Sequence, residues 1–375
     1  MSDDIYQNPI AIMKSLLVLA ASKRGVSEPN PLVAAAVVKE GCLISEGVHD
    51  VAGTAHAEVL ALDKAGPLAK GATLYVTLEP CTHFGRTPPC VEAIIQSGIS
   101  RVVYAVDDPN PILRKTPARQ ILENHGVKVD SGLLSKEAAR LNEVYFTNRL
   151  QNRPHVTLKA AMSLDNKIAT RPNEKTYLSS GKSLQAVHKI RREVSGIVVG
   201  VGTVLSDNPS LDVRYDLLTD PYQNPHIIIF DEHLKTPLDA RLFDDSFNRT
   251  VFIVTSEHHD IHGHPLCKKA ELLGVKQTPY GVSWMDSLEA LYRLGMTSLL
   301  VEGGQHIFTS ALQAGIVDKA LFFMVPTIVA SEEAPSIFTE TGAREALSHL
   351  TQFSEREYQY LDKDLLVVLR QNLAF

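Results

Sequence analysis

Cysteine is scarce in this chain: 375 residues hold four, Cys42, Cys81, Cys90 and Cys267. So few, so widely spread, exclude a disulfide framework and fit a reducing compartment. Pairing of Cys81 with Cys90 stays open as an alternative, and Cys42 and Cys267 read as plain packing residues. Excess positive charge is also lacking, because 37 Lys and Arg face 43 Asp and Glu, for a formal net charge of -6. No global basic field exists to draw a polyanion, so nucleic acid is not an expected partner. Long apolar runs are missing too. Positions 1–10 carry no basic region and 12–21 is interrupted by Lys14 and Ser15, so neither a secretory signal nor a membrane-spanning helix fits, and a cytoplasmic location is expected. No internal repeat or low-complexity tract occurs.

What is present is an ordinary globular composition, 44% hydrophobic and 21% charged. At roughly 150 residues per domain the length predicts two domains. Ile12, Met13, Leu16, Leu17 and Ala20 recur at helical spacing, while 33–38 and 43–46 are short strand-like runs around a Lys39-Glu40-Gly41 turn. Helices are expected at 56–65, 91–97 and 118–125, and strands at 73–78, 101–106 and 127–129. This alternation predicts a layered α/β sandwich that closes near Phe146. The polar stretch 147–154, ending in Pro154, reads as a linker. Strand patterns then restart at 156–161, 196–201, 226–230, 251–255, 298–301 and 320–325, a second α/β domain over 155–375.

The chemistry concentrates in His56-Ala57-Glu58 and in the stretch from Thr77 to Cys90. One imidazole and two thiolates, from His56, Cys81 and Cys90, make three zinc ligands and leave a fourth position open for water, the pattern of a catalytic site. Cys90 follows two prolines at a helix start, where the dipole favours a thiolate. Glu58, two residues after His56, is better cast as an acid/base beside the metal than as a ligand. A structural site would need a fourth ligand, for which His83 is the candidate. Zinc deaminases carry His-x-Glu followed by Pro-Cys-x-x-Cys. Here eight residues rather than two separate the cysteines, and that insert holds His83 and Arg86, a donor and a fixed cation suited to a phosphate-bearing substrate.

Together with Asn30 between Pro29 and Pro31, His49 before Ala52-Gly53, and Asp108-Pro109-Asn110-Pro111, this phrase resembles the deaminase domain of the bifunctional riboflavin biosynthesis deaminase/reductase family. The second domain has no Gly-x-Gly-x-x-Gly, so a Rossmann reading lacks its main support. It is similar instead to that family's dihydrofolate-reductase-like reductase, through the stretch from Leu158 to Asp165, that from Gly200 to Pro209, and Val301-Glu302-Gly303-Gly304. Gly303-Gly304 lies between a strand and a helix expected at 306–314, where backbone amides can cradle phosphate, although such turns also occur without a ligand.

The resemblance implies an N-terminal cytidine-deaminase-like three-layer α/β/α domain over 1–146, followed by a dihydrofolate-reductase-like α/β domain over 155–375. It implies zinc-dependent hydrolytic deamination of 2,5-diamino-6-ribosylamino-4(3H)-pyrimidinone 5′-phosphate, with Glu58 passing the proton to departing ammonia. NADPH-dependent reduction of the ribosyl group follows. By the same resemblance Asn30, His49, His83 and Arg86 hold the deaminase substrate. Ala161, Tyr177, Thr203, Asp207, Gly304, Gln305, His306, Ile307, Phe308, Thr309 and Ser310 bind NADPH. Lys175, Arg191, Leu211, Arg214 and Glu302 hold the reductase substrate, a small phosphorylated pyrimidine, and a homo-oligomer forms through the reductase domain. Read without the resemblance, Asn30 and Asp165 equally suit turns, Arg86 a solvated loop charge, and Arg191 and Arg214 structural ion pairs.

Several positions depart from the family. Residues 112–117 replace a glycine-bearing loop, which must take another path, and Ala34-Ala35 and Asn166 stand at usual glycines. Asn tolerates left-handed backbone angles, and Tyr177 keeps an aromatic face where tryptophan is usual. Lys175 and Glu232 replace small hydroxyl residues, and an acid near a 2′-phosphate weakens the preference for NADPH over NADH. The alternative function is a zinc nucleoside or nucleotide deaminase with a degenerate, non-reducing second domain. RNA editing would need a basic surface, and a purely binding role is opposed by Glu58 beside all three metal ligands.

Overall fold

The structure, a computed structural model, describes residues 5–85, 88–172, 176, 178–219, 222–339 and 353–372, and divides into two compact units, one through Gln151 and one from Asn152. The first unit is built on strands β1 (Ala34–Lys39), β2 (Cys42–Val48), β3 (Thr73–Val76), β4 (Arg101–Tyr104) and β5 (Lys128–Ser131). Their order is β2-β1-β3-β4-β5, with β1 antiparallel to both neighbours and β3, β4 and β5 parallel. The helices are α1 (Pro9–Ala21), α2 (Ala57–Ala65), α3 (Cys90–Gln96), α4 (Pro111–Lys115), α5 (Ala118–Asn124), α6 (Ser135–Leu141) and α7 (Glu143–Gln151).

Side-chain alternation along β1 explains the three layers. Ala34, Ala36 and Val38 join Ile12, Met13, Leu16 and Ala20 of α1 and Ala138 and Leu141 of α6 in one core, while α2 lies against β1 and β2. Asn8 starts α1, its side chain accepting from the Ile10 amide at 3.0 Å, with Pro9 in the first turn. Gly47 sets the depth of α2, because a Cβ there would lie 2.2 Å from the Ala57 carbonyl oxygen and 2.7 Å from the Ala61 nitrogen. Only a glycine in β2 lets the helix that carries Glu58 come this close.

Two expectations change. The replaced loop is a short helix, α4, capped by Asn110, whose side chain accepts from the Ile112 amide at 3.2 Å. The stretch 147–154 is not an irregular linker, since α7 runs through Gln151 and Arg153 grips Asp318 with paired bonds of 2.7 and 2.8 Å. Thr147 and Asn148 look like linker residues because they are polar, yet both are buried.

The second unit contains β6 (His155–Met162), α8 (Gly181–Arg192), β7 (Gly196–Gly200), α9 (Val201–Asp207), β8 (His226–Phe230), β9 (Val251–Ser256), β10 (Glu271–Val275), β11 (Gln277–Thr278), β12 (Gly281–Val282), α10 (Trp284–Arg293), β13 (Ser298–Val301), α11 (Gln305–Gln313), β14 (Lys319–Met324), β15 (Glu355–Leu361) and β16 (Asp364–Arg370). Nine strands form one sheet in the order β10-β9-β8-β7-β13-β6-β14-β16-β15, parallel as far as β14 and antiparallel beyond it. The parallel strands read as continuous apolar runs because both faces are covered. Trp284, Leu288, Leu291, Ile307 and Phe308 of α10 and α11 cover one face, and Val187, Ile190 and Val204 of α8 and α9 join the clusters on the other. Neither β10 nor the β15–β16 pair was expected.

Cys42 and Cys267 are exposed, so they are not packing residues; Cys267 donates to the Ile261 carbonyl at 3.0 Å. All four cysteines are free. Among the described residues no helix is long and apolar enough to cross a membrane.

Candidate active sites

His56 is the N-cap of α2 in extended conformation, Cys81 follows β3 by way of a short loop, and Cys90 opens α3. Their ligand atoms lie within 4.8 Å of one another. His56 Nδ1 is 3.2 Å from Cys90 Sγ and 3.5 Å from Cys81 Sγ, and the Cys90 amide donates to Cys81 Sγ at 3.2 Å. The Cys90 thiol and the His56 ring hold Cys81 down to about 4, while the same sharing and burial push Cys90 up. One imidazole and two sulfurs are the soft, closely gathered donor set that zinc takes. Glu58, 4% exposed, lies beside them, and burial followed by the charge of Cys81 pushes its carboxyl up to about 7.

His56, Glu58 and Cys81 line a cavity of ≈ 270 Å³ with Asn30, His49, His83, Asp108, Asn110, Tyr145 and Arg149. The His49 Nδ1 proton goes to the Ala55 carbonyl at 3.2 Å, so Nε2 accepts from the Asn30 amide at 2.9 Å. That fixes which way the Asn30 amide faces. His83 Nδ1 is buried without a hydrogen-bond partner among the described residues, which is costly unless a ligand supplies one. Asp108 accepts from the Tyr145 hydroxyl at 3.1 and 3.2 Å and from the Asn110 amide at 2.8 Å, and Arg149 lies over the Tyr145 ring at 5.1 Å.

In the second unit, β7 and β13 are parallel neighbours, and each runs into a helix start, α9 after Gly200 and α11 after Gly304. A Cβ on Gly303 would fall 1.6 Å from Ile307 Cγ2 and 3.5 Å from the Gly200 nitrogen. Two helix starts therefore adjoin one another, and first-turn amides of this kind, which have no partner within their own helix, suit a dinucleotide's phosphates. Beside it, Glu302 is gripped by Arg191 at 2.6 and 2.9 Å and by Lys159 at 3.3 Å. Burial alone would raise this carboxyl, but the two cations outweigh it and hold it down to about 2. Arg214 pairs with Asp212 at 2.9 Å and stays 56% exposed.

A family model described as RibD C-terminal domain matches residues 154–367, and one described as cytidine and deoxycytidylate deaminase zinc-binding region matches 9–106. The riboflavin biosynthesis protein RibD of Aquifex aeolicus is 40% identical over 96% of this chain and 97% of its own length. The chain belongs to the RibD family. The Escherichia coli member is 33% identical, with 98% of this chain and 99% of its own covered. Among solved structures, a diaminohydroxyphosphoribosylaminopyrimidine deaminase/5-amino-6-(5-phosphoribosylamino)uracil reductase from Thermotoga maritima is 32% identical, covers 99% of this chain and 100% of its own, and superposes with a TM-score of 0.82. Acinetobacter baumannii RibD gives 30%, 98%, 99% and 0.81.

In this chain the expected deaminase residues Asn30, His49, His56, Glu58, Cys81 and His83 meet at one cavity and Cys90 adjoins it, whereas Arg86 lies outside the described residues. Tyr145 and Arg149 were not singled out, although their spacing of four on a helix puts them on one face. In the reductase unit, Lys175 and Tyr177 lie outside the described residues. Arg191, Glu302 and Arg214 do form ion pairs. Within 304–310, Ile307 and Phe308 are core residues, the Phe308 amide donates to the Gly304 carbonyl at 3.2 Å, Thr309 accepts from the Thr339 amide at 3.0 Å, and Ser310 accepts from Trp284 Nε1 at 3.0 Å, so what is left to meet a ligand is the first-turn amides at 304–307. Ala161 is half-buried against the α8 side, Thr203 neighbours Gly304, and Asp207 accepts from the Ser206 hydroxyl at 2.7 Å. Asp165 accepts from the Val329 and Ala330 amides at 3.1 and 2.9 Å, a loop fastener, and Asn166 takes the left-handed angle expected of it, φ 62°. Glu232 accepts from the Gln277 amide and sits 4.0 Å from His233 Nε2.

Proposed function

We propose that the chain carries out two consecutive reactions of riboflavin biosynthesis, hydrolytic deamination of 2,5-diamino-6-ribosylamino-4(3H)-pyrimidinone 5′-phosphate and NADPH-dependent reduction of the product's ribosyl group. The observation that carries this reading is the gathering of His56, Cys81 and Cys90 beside a cavity that His56, Cys81 and a buried Glu58 line, in the same chain as two adjoining helix starts next to Glu302. His56, Cys81 and Cys90 would hold zinc, which when bound supplies water acidified enough to act near neutral pH. Glu58 holds the transferred proton and passes it to departing ammonia. Asn30 and His49 orient the pyrimidine, and His83 offers its unpartnered nitrogen to the polar part of the substrate.

In the second unit the helix-start amides bind the cofactor, whose chemistry is hydride donation. Arg191 and Arg214 take the 5′-phosphate, as guanidinium forks do. Glu302 holds Arg191 in place for the phosphate and Lys159 beside it. Four free cysteines support a cytoplasmic location. A homo-oligomer through the reductase unit is supported by the sheet edge at β15, where Tyr358 and Tyr360 are 59% and 81% exposed.

The test is incubation of purified protein with the diaminopyrimidinone ribosylphosphate, with and without NADPH, following ammonia release and NADPH loss. Ammonia release without NADPH, and NADPH loss only after deamination, are expected. Deamination of cytidine with neither signal would instead favour a nucleoside deaminase.

A further inference from the structure

The segment 210–216 has no regular secondary structure, yet its backbone is held at successive positions by side chains from distant parts of the unit. Leu211, Tyr215 and Asp216 adopt left-handed angles, φ 49°, 65° and 53°. Residues with a Cβ keep such angles only where the surroundings enforce them, and such enforcement clusters at functional sites. Arg249, just before β9, donates from Nη1 to the Leu211 carbonyl at 2.9 Å and from Nη2 to the Ser210 carbonyl. Asn224 accepts from the Val213 amide at 2.9 Å, and Arg191 donates to the Asp212 carbonyl at 3.1 Å. His188 of α8 accepts the Arg214 amide proton on Nδ1 at 3.1 Å, and its ring meets the Tyr215 ring edge-on at 5.1 Å.

What this framework presents is a pair of guanidinium groups around Asp212. Arg191 holds its carbonyl and Arg214 its carboxylate, and Arg214 also donates to Ser210 Oγ at 2.8 Å. Arg249 itself makes no ion pair among the described residues, and its buried Nε has no partner. Arg249 is half-buried, lies 4.5 Å from the face of Phe247 and feels Asp212 and Asp244 only at a distance, so its hydrogen bonds among the described residues are spent on two carbonyls of this loop, whose shape they secure. His188 must be neutral to accept from Arg214, and burial followed by the charges of Arg191 and Arg214 keeps it so, lowering it to about 4.

We propose that Arg249 and His188 are positioning residues of the reductase site, which hold segment 210–216 and with it Arg214 in shape for the substrate's phosphate, touching the loop rather than the ligand. This rests on the reading of Arg214 and Arg191 as phosphate ligands given above.

The test compares Arg249→Met, His188→Leu and His188→Asn with Arg214→Ala in the full chain, using 5-amino-6-(5-phosphoribosylamino)uracil as the probe. Asparagine keeps an acceptor where Nδ1 stands. Arg249→Met and His188→Leu should raise the KM for this probe about tenfold, the effect of one lost charge-assisted or buried hydrogen bond. The KM for NADPH and the rate of ammonia release from the other unit should stay put, and His188→Asn should recover most of the loss. If both KM values rise together, or neither rises while Arg214→Ala raises the probe's KM, the positioning role is wrong. If Arg214→Ala also leaves the KM unchanged, the phosphate-site reading itself falls. Should Arg249→Met not fold, the His188 pair carries the same comparison.

Discussion

The two units bury their functional charges by opposite means. In the deaminase unit three ligand atoms crowd within 4.8 Å of one another beside a buried carboxylate, an assembly that a dication completes. In the reductase unit the charges are already matched within the chain, Glu302 between Lys159 and Arg191, and Asp212 with Arg214. The contrast teaches that the first site depends on something the polypeptide does not supply, whereas the second depends on each member of an ion-pair network. One site should fail when its metal is taken away and the other when one partner is removed.

The largest separation is expected from Glu58→Gln. Ammonia release should fall by roughly 10² to 10⁴, the usual contribution of a positioned proton carrier. Reduction of the deaminated ribosylphosphate, supplied directly, should proceed at the normal rate. Intact ammonia release in this variant would remove Glu58 from the mechanism.

Next comes Glu302→Gln, which leaves Arg191 and Lys159 facing each other without their shared carboxylate. Breaking a buried pair this way costs about 3–5 kcal/mol, so the reductase unit should unfold at markedly lower denaturant concentration and lose its activity. An unchanged unfolding midpoint would mean that the network is not structural. The deaminase unit should keep its ammonia release.

Glycine substitutions sharpen the comparison at smaller cost. Gly47→Ala forces α2 off β2 and so displaces Glu58 and His56 together. A shift approaching 1 Å should lower deaminase turnover by about 10²-fold. Gly303→Ala strikes Ile307 at the cofactor cradle and should weaken NADPH binding while sparing ammonia release. Parallel loss of both activities in either variant would undo the picture of separate sites.

The smallest effect concerns pH. His188 titrates near 6.5 when unfolded and is lowered to about 4 in the fold, so the unfolded state binds the proton first as pH drops. The stability tied to its neutral form is complete above pH 6.5 and is lost as pH falls toward 4. In denaturant titrations of the reductase unit, His188→Asn should flatten the slope in that window. An identical slope would show that His188 is not the group responsible.

Much of the metal centre is legible in the sequence, because local spacing builds it: a histidine capping a helix, a glutamate in the first turn, a cysteine after a strand and another opening a helix. The parallel strands are equally legible, since burial on both faces leaves uninterrupted apolar runs such as that of β8. What escapes the sequence is assembled from far apart. Tyr145 and Arg149 reach the cavity from a helix whose buried Thr147 and Asn148 have the composition of a linker. The 210–216 segment has a loop's composition, and only its partners from α8, Asn224 and Arg249 reveal that it is held. The β15 edge is missed because its residues are mostly exposed and carry little apolar alternation.

One chain thus holds a metal-dependent site and a second site complete in its own side chains apart from the cofactor, and the dependence of only the first on metal can be measured. It is tested most directly by treating the full chain with a zinc chelator, then supplying each unit with its own substrate and following ammonia release and NADPH consumption in parallel. Ammonia release should disappear and return on adding zinc, while NADPH consumption on the deaminated ribosylphosphate continues unchanged. Loss of both activities, or ammonia release that persists with the metal shown to be gone, would contradict it.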